Sequence, residues 1–229
     1  MHSYNPPSYL NGSVPRYSRF YNNTPVTATP HTLFNLRIEG GQGDEIFEAV
    51  RRGELRLFTQ PLTPFELSQI GHGCVYVWEQ SDSCPRWYDG RFWYTASMDK
   101  IDHRMPRIRL YEEVVPPNGT APRNVRPDTK HPRHDLQQYW DSKPDGLRKQ
   151  EYSATVYVTG EARPRKWHLL SYFLQDEEND WRLYNQLCSI KDIPFLRNVQ
   201  VPHNTFLPYR LPVPVWDDSV QRDRSMVWR

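Results

Sequence analysis

Residues 84–93 read Cys84-Pro85-Arg86-Trp87-Tyr88-Asp89-Gly90-Arg91-Phe92-Trp93. The Asp-Gly pair in this stretch is typical of a tight turn, because glycine tolerates a positive φ angle. An apolar run at 75–78 precedes it, and the order predicts a hairpin with one strand at 75–78, a turn at 81–83 and a return strand at 86–88. Each arginine would then lie beside rigid aromatic rings. A guanidinium fixed against an indole loses little entropy when it meets a phosphate or a base edge, and the alternative is a solvated arginine that covers a core tryptophan.

The composition predicts one folded domain with long connections. The chain has 229 residues, enough for one sizeable core, and 14% of them are aromatic. The 21 prolines indicate much loop, because proline breaks helix interiors and is confined to strand edges. With 29 Lys and Arg against 27 Asp and Glu, the net charge of +2 does not single out nucleic acid or membrane as a partner.

The cysteines, histidines and carboxylates form no recognised catalytic or metal motif. The three cysteines have no repeated spacing, which fits a reducing compartment rather than a disulfide framework. His72, Cys74 and Cys84 lack a fourth metal ligand. His168 lies in an apolar run and is expected to be a hydrogen-bonded core histidine. We therefore expect no enzyme, no cofactor, no bound metal and no small-molecule substrate.

No apolar run in the sequence has the length of a transmembrane helix, and the N-terminus lacks the apolar core of a signal peptide. These features predict a soluble intracellular protein without a membrane partner.

The first half of the chain predicts short elements. Residues 1–32 show no hydrophobic period and are expected to form a mobile arm. Phe34, Leu36 and Ile38 alternate as in a strand. A helix capped by Asp44 should follow, and residues 63–66 have the spacing of a capping box that begins a second helix running to residue 70.

In the second half, Ile108 and Leu110 alternate with Arg107 and Arg109, which predicts a strand with one apolar and one cationic face. Residues 115–144 hold few apolar side chains and are interpreted as a linker. Alternation at 152–158 and an apolar run at 167–173 predict a second hairpin, followed by a short irregular helix that includes Trp181, Leu183, Leu187 and Ile190.

Motifs in two separate blocks resemble those of one known family. Residues 86–93 look like an Arg-Trp-Thr-Asp-Gly run followed by tryptophan, residues 146–150 are similar to Gly-Leu-x-Lys-Lys, and residues 168–173 are similar to His-Leu-Ile-Ser-Tyr-Tyr. Of the lysine pair, only Lys149 is present. These motifs, in this order, resemble the WOPR-domain family of fungal transcription regulators, and the match covers roughly 34–114 and 146–201.

The resemblance implies an α+β fold, a single domain of interlocked antiparallel strands from two sequence blocks flanked by short helices. On this basis we expect an N-terminal arm at 1–32, a domain at 33–208 and a C-terminal tail at 209–229. The domain divides into a first block at 33–115, a variable linker at 116–145 and a second block at 146–208. Both blocks should share one core, because neither supplies enough strands to bury the four large rings at Trp87, Trp93, Trp167 and Phe173.

The resemblance also implies sequence-specific binding of A/T-rich duplex DNA, control of developmental or morphological gene expression in the nucleus, and other transcription regulators as partners. The candidate DNA-binding residues are Gln60, Arg86, Arg91, Lys100, Arg104, Arg107 and Arg109.

The sequence departs from the family pattern mainly at charged positions. A basic pair ahead of a proline is replaced by Thr59-Gln60 before Pro61, and a closing arginine is replaced by Met98. Neither Thr nor Gln can replace a charge that releases counterions, although Gln60 can still bind an adenine edge. The alternative function is therefore a WOPR-like domain without DNA affinity that acts as a protein-interaction module.

Overall fold

A computed structural model describes residues 29–38, 42–95, 108–116, 141–158, 160–174 and 187–208. Within them the chain forms an antiparallel sheet with the order β1-β6-β5-β3-β2, in which β4 pairs with β3 and β7 with β5. The strands are β1 (Val75–Gln80), β2 (Trp93–Thr95), β3 (Ile108–Val115), β4 (Asp141–Ser142), β5 (Leu147–Val156), β6 (Arg165–Leu174) and β7 (Phe206–Pro208). Two short helices, α1 (Gly43–Arg51) and α2 (Pro64–Ser68), and a 3-10 turn at Ile190–Asp192 flank the sheet. The expected α+β fold is confirmed.

The second block is inserted into the first. The β5–β6 hairpin lies between β1 and β3, so that β1 pairs with β6 from Val75↔Ser171 to Gln80↔Lys166 and β3 pairs with β5. The two long strands of the first block therefore contact the second block rather than each other. This order explains how the two blocks interlock into one domain.

The sheet has an apolar layer on each face, where one shared core was expected. The α1 face carries Val75, Val77, Tyr152, Trp167 and Leu169, packed against Ile46 and Phe47 of α1. The aromatic face carries Tyr76, Trp78, Trp93, Tyr111 and Tyr172, packed against Phe58, Leu62 and Ile70. Successive side chains of a strand point to opposite faces, so inner strands need cover on both sides. Both layers combine residues of both blocks.

The predicted first hairpin is wrong in its pairing. β1 pairs with β6, and residues 81–92, which we call the cover segment, cross the aromatic face without forming a strand. The segment begins with a turn in which the Ser81 amide donates to the Cys84 carbonyl at 3.1 Å. Trp87 then faces the sheet, 5.2 Å from the Tyr76 ring centroid. The return strand is absent because Trp87 is used to cover the aromatic face. The turn at Gly90 is confirmed, with φ of 74°.

The beginning of the domain also differs from the prediction. Leu33 and Leu36 form single bridges to Val75 and Cys188 in place of a regular strand. Asn35, at φ 58°, interrupts the alternation. Contacts with the sheet are made upstream of residue 33, because the Thr32 amide donates to the Val75 carbonyl at 2.9 Å. Residues 1–28 of the expected arm lie outside the described residues.

The two helices form where the sequence predicts them, with different ends. Gln42, not Asp44, is the N-cap of α1, and Asp44 accepts a hydrogen bond from the Tyr152 hydroxyl at 2.6 Å. The capping box of α2 is confirmed between Thr63 and Glu66, although this helix ends at residue 68 instead of 70. Neither described helix is long and apolar enough to span a membrane.

The second block begins before residue 146. Strand β4 pairs Ser142 with Val114 and Asp141 with Val115, so the end of the expected linker belongs to the sheet. The second hairpin is confirmed as β5 and β6, which are longer than predicted. Of the expected irregular helix, Leu187 and Ile190 are buried, and the 3-10 turn begins at Ile190. Residues 117–140, 181–186 and 209–229 lie outside the described residues.

Candidate nucleic-acid interface

The Asp-Gly turn places one carboxylate inside the aromatic layer. The Asp89 carboxylate accepts hydrogen bonds from Trp93 Nε1 at 2.9 Å, Lys149 Nζ at 2.8 Å and the Tyr172 hydroxyl at 2.8 Å. Trp87 Nε1 donates to the same Tyr172 hydroxyl at 2.8 Å. The cover segment is thereby tied at two points to strands of the second block.

A cation of the second block neutralises this carboxylate. Burial raises the pKa of Asp89, but the charge of Lys149 and the hydrogen bonds from Lys149, Trp93 and Tyr172 outweigh it, so the pKa lies below its ordinary value. Lys149 Nζ also lies 4.0 Å from the ring centroid of Trp93. The hairpin hypothesis placed an arginine against a tryptophan, whereas here a lysine from the other block takes that position.

Arg91 lies at a second buried carboxylate. Its Nη1 donates to Glu113 Oε1 at 2.8 Å and its Nη2 donates to the Ile70 carbonyl at 3.3 Å. Glu113 also accepts from Lys143 Nζ at 2.8 Å and from the Leu147 amide at 3.0 Å. Burial raises the pKa of Glu113, but these hydrogen bonds and the charge of Arg91 lower it below its ordinary value. Among the described residues, the guanidinium of Arg91 is therefore bonded to two buried residues of the chain itself, Glu113 and Ile70.

Two of the predicted site residues, Gln60 and Arg86, lie in segments that run past the Gln80 end of β1, whereas Arg91 lies at Glu113 near the end of β3. Phe58 bridges in parallel to Trp78, so Gln60 leaves the sheet in the same direction as Gln80. Arg86 is exposed and follows the turn that closes directly after Gln80. We define the Gln80 corner as Gln60, Gln80, Arg86 and Lys166, which pairs with Gln80 across the strands.

Arg109 is connected to the Gln80 corner by a row of polar residues across four strands. It pairs with Glu151 of β5. Glu151 Oε1 lies 3.1 Å from His168 Nδ1 on β6, and His168 Nε2 lies 3.2 Å from Gln80 Oε1 at the end of β1. We call Arg109, Glu151, His168 and Gln80 the polar diagonal. Lys100, Arg104 and Arg107 lie outside the described residues, and Arg107 directly precedes the first residue of β3.

His168 is a hydrogen-bonded core histidine, as predicted. The residue is 6% exposed, and its ring stacks on Trp78 with centroids 4.5 Å apart. Ser153 Oγ lies 2.8 Å from Nδ1, the same nitrogen that faces Glu151. A hydrolase triad places the serine and the carboxylate on opposite ring nitrogens. This arrangement therefore does not activate Ser153 as a nucleophile.

The sequence did not single out five residues of these sites as functional or structural partners: Gln80, Glu113, Lys143, Glu151 and Lys166. Gln80 and Lys166 become neighbours through the β1–β6 register, which has no local sequence signal. Lys149 did carry a signal, because it matches a lysine of the Gly-Leu-x-Lys-Lys motif that residues 146–150 resemble.

The chain matches no family model and no curated protein. Among solved structures, it is similar to a complex of the WOPR domain of Wor1 from Candida albicans with a 17-bp double-stranded DNA, at 18% identity and a TM-score of 0.49, covering 76% of this chain and 95% of that chain. A complex of the same domain with a 13-bp double-stranded DNA gives 17% identity and a TM-score of 0.49, covering 76% and 92%. A structure described as a fungal protein gives 18% identity and a TM-score of 0.46, covering 76% and 94%.

Proposed function

We propose that this chain is a sequence-specific DNA-binding transcription regulator of the WOPR type, which binds A/T-rich duplex DNA in the nucleus and controls developmental or morphological gene expression. Two sequence blocks with family-like motifs in the family's order support the proposal. The observation that carries it is the Gln80 corner, where Lys166 pairs with the exposed Gln80 across the strands and the exposed Gln60 and Arg86 lie in the segments that run past the same end of β1. Other transcription regulators are proposed as further partners.

The lysine and arginine side chains are proposed to provide affinity for DNA, and the Gln60 amide is proposed to provide specificity for its sequence. Lysine and arginine side chains bind phosphates and release counterions, which gives sequence-independent attraction. Arg86 is next to Trp87, whose indole is fixed by its hydrogen bond to Tyr172, so the backbone that carries this guanidinium is held in place. We propose Arg86, Arg109, Lys100, Arg104 and Arg107 as phosphate contacts. Gln60 is proposed to bind an adenine edge.

Arg91 differs from the other predicted arginines because its guanidinium is bonded within the chain. A groove contact would require its guanidinium to leave Glu113 and the Ile70 carbonyl. We propose that Arg91 holds the end of the cover segment. Arg91→Ala should then lower stability without changing the ratio of affinities for preferred and scrambled duplexes, whereas a lost base contact would change that ratio by about 1 to 3 kcal/mol.

The test is a titration of labelled duplexes at several salt concentrations. Preferred duplexes are first selected from a random library with the full chain, and scrambled duplexes serve for comparison. For the double variant Arg86→Ala, Arg109→Ala, we expect weaker binding to all duplexes and a slope of log K against log salt that is flatter by about 0.9 per lost contact. Arg197 is also exposed but lies in the segment that covers the α1 face, so Arg197→Ala should leave the slope unchanged.

One observation favours the interaction module as the second candidate. Phe65 on α2 is 65% exposed and Tyr88 on the cover segment is 47% exposed. Exposed aromatic side chains are common anchors at protein interfaces. If the wild type retains neither the preferred nor the scrambled duplex at low salt, the DNA-binding proposal fails and the interaction module takes its place.

A further inference from the structure

Gln80 is in a position to contact a partner directly. It is the last residue of β1, it is exposed, and Lys166 lies opposite it on β6. The chain turns at 81–84 immediately after it and reaches Arg86. The amide at this point therefore has Lys166 across the strands and Arg86 beyond the turn that follows it.

The side chain of Gln80 is hydrogen-bonded to the His168 ring, which is held in a fixed position. His168 is buried, and its ring is stacked on Trp78 at an interplanar angle of 13°. On the Nδ1 side the ring meets Ser153 and Glu151. Glu151 is itself fixed by the Tyr111 hydroxyl, which donates to its other oxygen at 2.7 Å. The His168 ring therefore has one orientation, and its Nε2 is a fixed point beneath the surface.

The partners of the two ring nitrogens determine which way the Gln80 amide faces. Gln80 Oε1 is an acceptor, so the ring satisfies it when the hydrogen is on Nε2. His168 Nε2 then donates to one lone pair of Gln80 Oε1. The second lone pair of that oxygen and the NH2 group of the amide remain available to a ligand.

We propose that Gln80 is a specificity-determining residue that reads an adenine in the major groove, and that His168 is the residue that positions it. An acceptor and a donor side by side on one amide match the N6 amino group and N7 of adenine. Because His168 fixes the amide in advance, less conformational entropy is lost when the base binds. The inference rests on the proposed DNA binding and assigns a base to one position of the site.

The first experiment substitutes Gln80 in the full chain. Duplexes selected from a random library with the wild type are changed one base pair at a time, and each is titrated with each variant. Gln80→Ala should lose about 5- to 150-fold of discrimination at one A·T position and keep its affinity for scrambled duplexes. Gln80→Glu presents acceptors alone, so it should shift the preference at that position from adenine towards cytosine. Gln200 is exposed in the segment beyond the 3-10 turn, and Gln200→Ala should leave all ratios unchanged.

The second experiment tests the positioning by His168 with a double-mutant cycle. His168→Asn should reduce discrimination at the position that Gln80 reads, and it should have no further effect on that ratio in the Gln80→Ala background. A merely structural role of His168 would lower affinity for all duplexes alike in both backgrounds. The fraction of folded protein is measured for each variant by circular dichroism, and affinities are referred to that fraction.

The outcomes separate this inference from the proposed function. If the wild type binds duplexes with a steep salt dependence and Gln80→Ala discriminates as well as the wild type at every position, the role of Gln80 is refuted while DNA binding stands. If Gln80→Ala loses discrimination but His168→Asn does not, the positioning role of His168 is refuted. If no duplex is retained at low salt, both proposals fail.

Discussion

Asp89 links the most distinctive stretch of the sequence to the second half of the chain. Asp89 is 5% exposed, and its carboxylate forms an ion pair with Lys149 and accepts hydrogen bonds from Trp93 and Tyr172. A buried carboxylate is stable only when it is paired and hydrogen-bonded. The Asp-Gly pair, which was predicted as a tight turn, is therefore also an internal connection between the blocks.

This pairing predicts a large loss of stability when one partner is removed. Lys149→Ala leaves an unpaired charge at Asp89, and we expect the free energy of unfolding to fall by about 3 to 5 kcal/mol, measured by urea denaturation. Lys191 is exposed on the 3-10 turn, and Lys191→Ala should change the free energy by less than about 0.5 kcal/mol.

The double variant Lys149→Ala, Asp89→Ala distinguishes a buried pair from two independent contributions. Because it leaves no unpaired charge, its loss of stability should be smaller than the sum of the two single losses. Additive losses would show that the two side chains do not depend on each other, and the connection described above would be wrong.

At the scale of elements, the β5–β6 hairpin holds the first block together from inside, and β4 extends that contact at one edge. Lys143, which follows β4, donates to the same Glu113 oxygen as Arg91. The boundary of the second block is therefore set by the pairing of Asp141–Ser142 with β3 rather than by the glycine at 146.

This boundary makes a prediction about the connection between the blocks. Replacing residues 117–140 with a Gly/Ser linker of the same length should change the melting temperature only slightly, because the cost of loop closure depends weakly on composition and length. Extending the replacement through residue 143 removes β4 and the Lys143–Glu113 ion pair, and the melting temperature should then fall by several degrees. Equal melting temperatures for the two replacements would contradict the assignment of β4 to the domain.

On the scale of the whole molecule, the sheet order means that neither block is a folding unit. β1 and β3 are separated by β6 and β5, and both apolar layers contain residues from 29–116 and from 141–208. Each block alone would leave strand edges unpaired and large apolar side chains in water.

We therefore predict that residues 29–116 expressed alone give no cooperative thermal transition and a poorly dispersed amide spectrum. Co-expression with residues 141–208 should restore both, since the connection between the fragments lies outside the described sheet. The full chain serves as the positive control. A cooperative melt of the first fragment alone would refute the interlocked architecture.

The local features of this protein could be predicted from its sequence alone. The capping box at Thr63 and Glu66, the positive φ at Gly90 and the second hairpin depend on residues close together in the chain, and each was predicted correctly. The motif resemblance in two blocks also gave the fold class. Local propensity and periodicity are readable without knowing any distant partner.

Which strands pair and which charges meet could not be predicted from the sequence. In the structure, β1 pairs with β6 instead of with residues 86–88. Lys149 rather than an arginine lies over Trp93, and Arg91 forms an ion pair with Glu113. Gln80 also lies beside His168. Such choices depend on the combined burial of both sheet faces and on pairing the buried charges, and these energies arise only when distant segments come together. The sequence shows which strands and charged side chains need partners, but the packing of the whole sheet determines which partners they have.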